Sequence, residues 1–149
     1  MSMDVLSAFK VMVPRERDAW MVRDVAARSD IEANIVLFPS YALPSCSHPS
    51  VIFGCVMAHG VGTLWMLVGE NFEKEWRGVF RRQKEILGGF FKSGILRRIQ
   101  ILIDAARPEN IRYARALGFA QESAAAHKGM GPHGEDMLIF VYTGKEGKK

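Results

Sequence analysis

The chain changes its hydrophobic period at about Asn71, and the change separates two kinds of element. Before it, two β-rich apolar runs at 50–58 and 62–70 are joined by a short link that contains Gly60, which predicts a β-hairpin. After it, apolar residues recur every three or four positions, which predicts an amphipathic helix. The residues on this helical face are Trp76, Val79, Phe80, Gln83, Ile86, Leu87 and Phe90.

The segments on either side of this region complete the order of elements. Residues 97–105 predict a strand, 107–119 a helix ending in Gly-Phe, and 135–143 a last strand that follows a glycine-rich loop. Upstream, the β-branched content of 9–14 predicts a short strand, and the spacing of apolar residues over 15–33 predicts a helix. The chain therefore alternates strands and helices along most of its length.

The remaining upstream segment, 34–50, contains three prolines and several serines and is predicted to be a connecting loop. The complete order predicts a mixed α/β fold with a central mixed sheet of five to seven strands and helices on both faces. We expect a single domain over residues 1–143, because 149 residues with 48% hydrophobic content suit one core. Residues 144–149 are predicted to be a disordered charged tail.

Charge is unevenly distributed in this chain, whose net charge is +4 and whose sequence pI is about 9.3. The basic residues between positions 74 and 98 are Lys74, Arg77, Arg81, Arg82, Lys84, Lys92, Arg97 and Arg98. A solvated helix face explains such a run most simply. Since no aromatic residues interleave with these charges on the same face, we do not expect nucleic acid as a partner, although a steep loss of affinity with salt would mark that weaker alternative.

The cysteines and the opening stretch bear on cellular location. Asp4 and Lys10 interrupt the apolar core that a secretory signal requires, and no run of about 18 apolar residues occurs to span a membrane. We therefore expect a protein of the cytoplasm or of an assembly made there, with Cys46 and Cys55 as free thiols. The spacing of these cysteines and the nearby histidines matches no common zinc pattern, so we expect no metal.

The most specific motif is RIQILIDAARPENIRYARALGF, a strand and a helix that ends in Gly-Phe at 118–119. Through it the chain resembles the GNAT superfamily of acyl-CoA-dependent N-acyltransferases over about residues 51–143. The resemblance implies that this helix lies beside the pantetheine arm of acetyl-CoA and that the following strand completes the sheet. A second segment, WMLVGENFEKEWRGVFRRQKEIL, narrows this resemblance. Together the two segments are most similar to small GNAT-like proteins of short-tailed phages, which are described as internal virion or virion-assembly proteins.

The resemblance also implies a pyrophosphate loop at the start of a helix. Its pattern is Arg or Gln, any two residues, Gly, any one residue, and then Gly or Ala. Backbone N–H groups there would bind the anion, and glycines would let the backbone approach it. This chain has EKEWRGVFRRQ, in which bulky residues follow Arg77-Gly78, so the loop is degenerate and acetyl-CoA binding is expected to be weak or lost. The candidate cofactor-binding residues are Arg77, Gly78, Val79, Arg81 and Arg82.

Two candidate catalytic residues follow from the same resemblance. The family's general acid is a tyrosine four residues before the Gly of Gly-Phe, where this chain has Ala114 and the tyrosine is Tyr113. One residue turns a side chain by about 100° around a helix, so Tyr113 would be a displaced acid or a packing residue. Glu70, at the end of a predicted strand, matches a glutamate that takes a proton through water, and partial burial would raise its pKa. A solubilising glutamate at the sheet edge is the simpler alternative.

Besides the weaker alternative of a basic accessory protein on nucleic acid, the sequence leaves two functions open and does not decide whether the chain is an enzyme. The leading hypothesis is a phage-type GNAT-like protein that acts in virion assembly through contacts with phage structural proteins, with a weakened or lost acyl-CoA site. The alternative is an active acetyl-CoA-dependent N-acetyltransferase that transfers an acetyl group to a primary amine. In the alternative, Glu70 is the base and Tyr113 the displaced acid. Neither hypothesis fixes the oligomeric state.

Overall fold

The fold was obtained as a computed structural model, and the structure describes residues 2–16, 18 and 25–144. The helices of this part of the chain are α1 (Ser2–Val11), α2 (Val25–Leu37), α3 (Phe72–Ser93) and α4 (Pro108–Leu117). Its strands are β1 (Ser40–Pro44), β2 (Pro49–Ala58), β3 (Val61–Val68), β4 (Arg98–Asp104), β5 (Phe119–Gln121) and β6 (Met137–Tyr142). The strands form one sheet in the order β1-β2-β3-β4-β6-β5, which confirms the predicted mixed α/β fold.

The sheet is mixed because its pairings run in both directions. The β1·β2, β4·β6 and β5·β6 pairs are antiparallel, whereas β3 and β4 pair in parallel. The parallel register is given by three residue pairs, from Val61 opposite Arg98 to Thr63 opposite Gln100. A parallel pair requires a long crossover connection, and α3 provides it.

The chain divides into two compact units, the first comprising 1–57 and 65–82 and the second 58–64 and 83–149. In the first unit, α1 buries Val5 and Phe9, and Met12 is buried directly after the helix, since residues three or four apart share a face. Their core also contains residues from α2 and from β1, β2 and β3: Ile31, Ile35, Ala42, Ile52 and Leu67. That residues 1–143 fold as a single domain stays a prediction.

In the second unit, α4 ends with a left-handed glycine cap. Gly118 has φ 112° and ψ 18°, and its N–H donates to the carbonyl oxygens of Ala114 and Arg115. The chain then turns into β5, whose Phe119 is buried with Phe140 of β6. The Gly-Phe ending is therefore a helix stop that leads directly into the sheet, as glycine at this position commonly is.

Two upstream predictions are wrong. Residues 9–14 do not form a strand, because α1 continues to Val11 and places Phe9 in the core. Only Pro14 forms a bridge there, with Gly69. The predicted connector 34–50 contains the edge strand β1, where proline is tolerated because an edge residue need not donate to a neighbour.

The predictions from strong periodicity are confirmed. The hairpin link is His59-Gly60, with φ of 54° and 78°, values typical of a two-residue hairpin turn. The predicted amphipathic helix is α3, and the strand, helix and final strand that follow are β4, α4 and β6. The predicted helix over 15–33 corresponds in part to α2, which begins at Val25. Residues 17 and 19–24 of that prediction lie outside the described residues, as do residues 145–149 of the predicted tail. Among the described residues, no helix combines the length and the apolar character that a membrane crossing requires.

Candidate functional site

The C-terminal end of β3 is bonded to the segment that follows α1. The Arg15 N–H donates to the Val68 carbonyl oxygen at 2.9 Å, and the Glu70 N–H donates to the Val13 carbonyl oxygen at 2.9 Å. The Val68 N–H donates to the Asp18 carboxylate at 3.1 Å. These three bonds hold the segment against the last residues of the strand.

A cavity of about 510 Å³ opens at this point, where β3 leads into α3. Its lining residues are Arg15, Glu16, Gly69, Glu70, Phe72 and Glu73. The Arg15 Nε lies 3.2 Å from an Asp18 carboxylate oxygen, so much of its charge is already balanced. The lining therefore carries three glutamates against one arginine, a composition that favours a cation such as a protonated amine over an anion.

Glu70 lies two residues beyond β3, at the strand end where the sequence predicted it. Its backbone is fixed by the bond to Val13, whereas its side chain is exposed. The partial burial that we expected for a catalytic base is therefore absent. An exposed carboxylate on a fixed backbone can still bind an amine or accept a proton from it through water.

The predicted backbone cradle for pyrophosphate does not lie at a helix start. It required free N–H groups at Arg77, Gly78 and Val79, but α3 already begins at Phe72. Within an α-helix each N–H bonds to the carbonyl four residues earlier, so these three groups serve the helix itself. The side chains of Arg77, Arg81 and Arg82 are exposed, and their role as cofactor contacts stays a prediction.

The actual start of α3 does not fit a pyrophosphate either. A Cβ at Gly69 would lie 3.0 Å from the Ser50 carbonyl oxygen and 3.0 Å from the Met12 sulfur, so this glycine packs against its own chain. Glu73 and Glu75 occupy the first turn, where carboxylates stabilise the helix dipole and repel a second anion. The residues at this helix start therefore do not fit the pyrophosphate of acetyl-CoA.

Tyr113 is engaged in a contact of its own. Its hydroxyl donates to the Gln83 Oε1 at 2.7 Å, and Gln83 is fully buried in α3. Burial raises the pKa of Tyr113, which weakens the hydroxyl as an acid. Ala114, at the position of the family's tyrosine, is buried as well. Glu70 belongs to the first unit and Tyr113 to the second.

The sequence missed the part of the cavity that Arg15 and Glu16 provide. Both were assigned to the start of a helix, and nothing in local spacing shows that this segment bonds to β3 some 50 residues later. The run of charges 15–18, directly after an apolar stretch, was the only available signal. No group of three or more His, Cys, Asp or Glu side chains within the described ranges could hold a metal ion.

No protein-family model matches this chain, and no curated protein matches it. Solved structures do match it. A mutant of the spermidine N-acetyltransferase SpeG from Vibrio cholerae is 9% identical, with a TM-score of 0.56 over 70% of this chain and 64% of that chain. The ribosomal-protein-S18-alanine N-acetyltransferase from Escherichia coli is 13% identical, with a TM-score of 0.59 over 78% of this chain and 75% of that chain.

A third similar structure is the Microcin C7 self immunity acetyltransferase MccE, in complex with acetyl-CoA and AMP. It is 16% identical, with a TM-score of 0.63 over 78% of this chain and 69% of that chain. The chain spans just under two thirds of the length of the spermidine acetyltransferase that it matches. At such low identity the likeness extends to the fold alone. The mixed six-stranded sheet, its order and the agreement with these acetyltransferases together show that this chain has the GNAT fold.

Proposed function

We propose that the protein is an amine N-acetyltransferase of GNAT fold. The observation that carries the proposal is the cavity at the end of β3, which Glu16, Glu70 and Glu73 line. Alkylamines are cations at neutral pH, and a cavity with this charge concentrates them. The similar solved structures are acetyltransferases, which supports acyl transfer more than virion assembly.

Glu70 would act on the acceptor. A protonated amine must lose its proton before it can attack an acyl group, and the exposed carboxylate can receive that proton directly or through water. Glu16 and Glu73 would hold the cationic amine beside it. Acetyl-CoA is proposed as the donor because of the fold, without an assigned binding site in this chain.

The test combines binding and turnover. Calorimetric titration with acetyl-CoA and with CoA measures donor binding, and mass spectrometry of spermidine incubated with acetyl-CoA and the protein measures transfer. Spermidine is a suitable first acceptor because it is a cation and is named as the substrate of one similar structure. We expect heat on titration with acetyl-CoA and a singly acetylated product.

A variant tests the role of Glu70. Glu70→Gln should lower the turnover rate by about 10² or more, the usual contribution of a general base, and leave acetyl-CoA affinity nearly unchanged. Asp30→Asn, at an exposed position of α2 outside the cavity, serves as the control and should keep full activity. Equal turnover by the Glu70 variant and the wild type would refute this role.

A second candidate is favoured by the missing cradle and by the contact between Tyr113 and Gln83. It is a phage-type protein that keeps the GNAT fold for contacts with phage structural proteins during virion assembly in the host cytoplasm. Its test is whether the protein sediments with purified phage particles. No heat with millimolar acetyl-CoA, together with such sedimentation, would favour this candidate over the enzyme.

A further inference from the structure

An ion pair connects the lining of the cavity to a residue outside it. The Arg15 Nε lies 3.2 Å from the Asp18 Oδ2, and the two side chains are only 14% and 13% exposed. Arg15 lines the cavity, whereas Asp18 does not. A carboxylate outside the cavity therefore balances the charge of the arginine in its wall.

The backbone fixes the position of this pair. The Asp18 N–H donates to the Arg15 carbonyl oxygen at 2.9 Å, which closes a tight turn and brings the two side chains together. The Asp18 Oδ2 that faces Arg15 also accepts the Val68 N–H at 3.1 Å. One carboxylate oxygen thus holds both the arginine and the end of β3.

The charge of Arg15 is poorly reached by water, since its Nε atom is buried. Charges that water shields poorly act over longer distances and are less screened by salt than charges on the surface. If the Asp18 carboxylate were absent, the positive charge of Arg15 would act more strongly on a ligand in the cavity. A cationic ligand would then bind less tightly, although all three glutamates of the lining were still present.

We propose that Asp18 is a specificity-determining positioning residue, which keeps the cavity selective for cationic amines by holding and balancing Arg15. This inference rests on the proposed function for the identity of the acceptor. Asp18 acts through Arg15 and does not itself contact the amine. Because the Coulomb energy grows with the charge of the ligand, a polyamine should depend on Asp18 more than a monoamine does.

The first measurement is calorimetric titration of the full chain with spermidine and with butylamine, which carries fewer positive charges. Asp18→Asn keeps an oxygen that can accept the Val68 N–H and removes the negative charge. It should weaken spermidine binding about fivefold to tenfold and butylamine binding about twofold. The matched control is Asp104→Asn, which removes the carboxylate from a second Arg–Asp pair, with Arg107, and should leave both affinities unchanged.

A compensating variant separates the effect of charge from that of structure. Arg15→Gln/Asp18→Asn removes both members of the pair and should restore the affinity of the wild type for spermidine. Loss of a merely structural contact would not be repaired by a second loss at Arg15. Arg15→Gln alone keeps the bond between Asp18 and Val68 and should bind spermidine more tightly than the wild type, so the charge test stands even if Asp18→Asn unfolds.

Turnover, measured separately by mass spectrometry, distinguishes this inference from the proposed function. The expected differences in affinity without an acetylated product would support the role of Asp18 and overturn the proposed reaction. Acetylation of spermidine, together with equal affinities of Asp18→Asn and the wild type, would overturn the role of Asp18 alone. Equal losses for both amines, without rescue by Arg15→Gln, would also overturn it. No binding of spermidine to the wild type would overturn both.

Discussion

The two cysteine residues differ in burial, and this difference determines their chemistry. Cys55 is 2% exposed in β2, and burial raises the pKa of its thiol to about 11, from an ordinary value of 9.0. Cys46 is partly exposed. Because the thiolate is the reactive form, we expect iodoacetamide to label Cys46 in the folded protein and Cys55 only after unfolding. Mass spectrometry of peptides labelled with and without urea checks this.

Cys55 also makes the free energy of unfolding depend on pH in the alkaline range. Below pH 9 the thiol is protonated in both states, and the stability that burial of the neutral form provides is fully present. Between pH 9 and 11 the unfolded thiol ionises while the folded one does not, so the free energy of unfolding should fall by about 2–3 kcal/mol. Urea unfolding should show a smaller fall for Cys55→Ala than for the wild type. Cys46→Ala, the control, should keep the full fall.

The contact between Tyr113 and Gln83 can be measured as a coupling energy. Tyr113→Phe removes the hydroxyl that donates to the buried Gln83 Oε1 and should cost about 1–3 kcal/mol of the free energy of unfolding. Gln83→Leu replaces the buried acceptor with an apolar side chain. A double-mutant cycle by urea unfolding should give a positive coupling, and additive effects of the two substitutions would contradict this account.

At the scale of elements, the glycines of helices differ in what they do. Gly118 has a positive φ, and a Cβ there would lie 3.1 Å from Tyr142 Cε1, so Gly118→Ala should destabilise the protein by about 1–3 kcal/mol. Gly129→Ala, at φ 65° with no atom within 4 Å of its Cβ, is the control for backbone strain alone and should cost less. Thermal unfolding measures both.

Gly88 should respond in the opposite direction. It lies inside α3, and a Cβ there would meet nothing within 4 Å. Since alanine has less conformational entropy to lose than glycine, Gly88→Ala should raise the free energy of unfolding by about 0.5–1 kcal/mol. A lower melting temperature for this variant would show that the position has a contact or a curvature that alanine does not allow.

The helices and strands also differ in how well the sequence predicts them. The hairpin, α3 and the β4–α4 unit have long, regular periods, and all of these were predicted. The helix α1 was missed because β-branched residues near its end suggest a strand, although burial of Phe9 selects the helix. The strand β1 was missed because Pro39 and Pro44 are typical of a loop, and at a sheet edge they are tolerated.

At the scale of the molecule, the core of the first unit combines residues that are far apart in the sequence. Phe9 of α1 is 2% exposed and packs in the same cluster as Ile52 and Leu67. Phe9→Ala should therefore lower the free energy of unfolding by about 3–5 kcal/mol. Phe91→Ala is the matched control, because Phe91 is 46% exposed and should cost at most about 1–2 kcal/mol. Urea unfolding of both variants tests the difference.

The candidate site likewise combines residues that are far apart in the sequence. Glu70 was placed correctly at a strand end, because strand and helix periods meet there. Arg15 and Glu16 were missed, because their position depends on bonds to Val68 and Glu70, which no local pattern contains. Arg77 and Gly78 match part of the pyrophosphate-loop motif, but α3 already begins at Phe72, so the motif lies inside the helix and not at its start.

The segment after α1 has a consequence beyond the cavity that it lines. The end of a strand presents backbone groups that can pair with another chain, and such exposed edges promote aggregation. Here the Val68 carbonyl accepts from the Arg15 N–H, the Val68 N–H donates to the Asp18 carboxylate, and the Glu70 N–H donates to the Val13 carbonyl. A cut or substitution that frees this segment should leave these groups open to pairing with a strand of another copy.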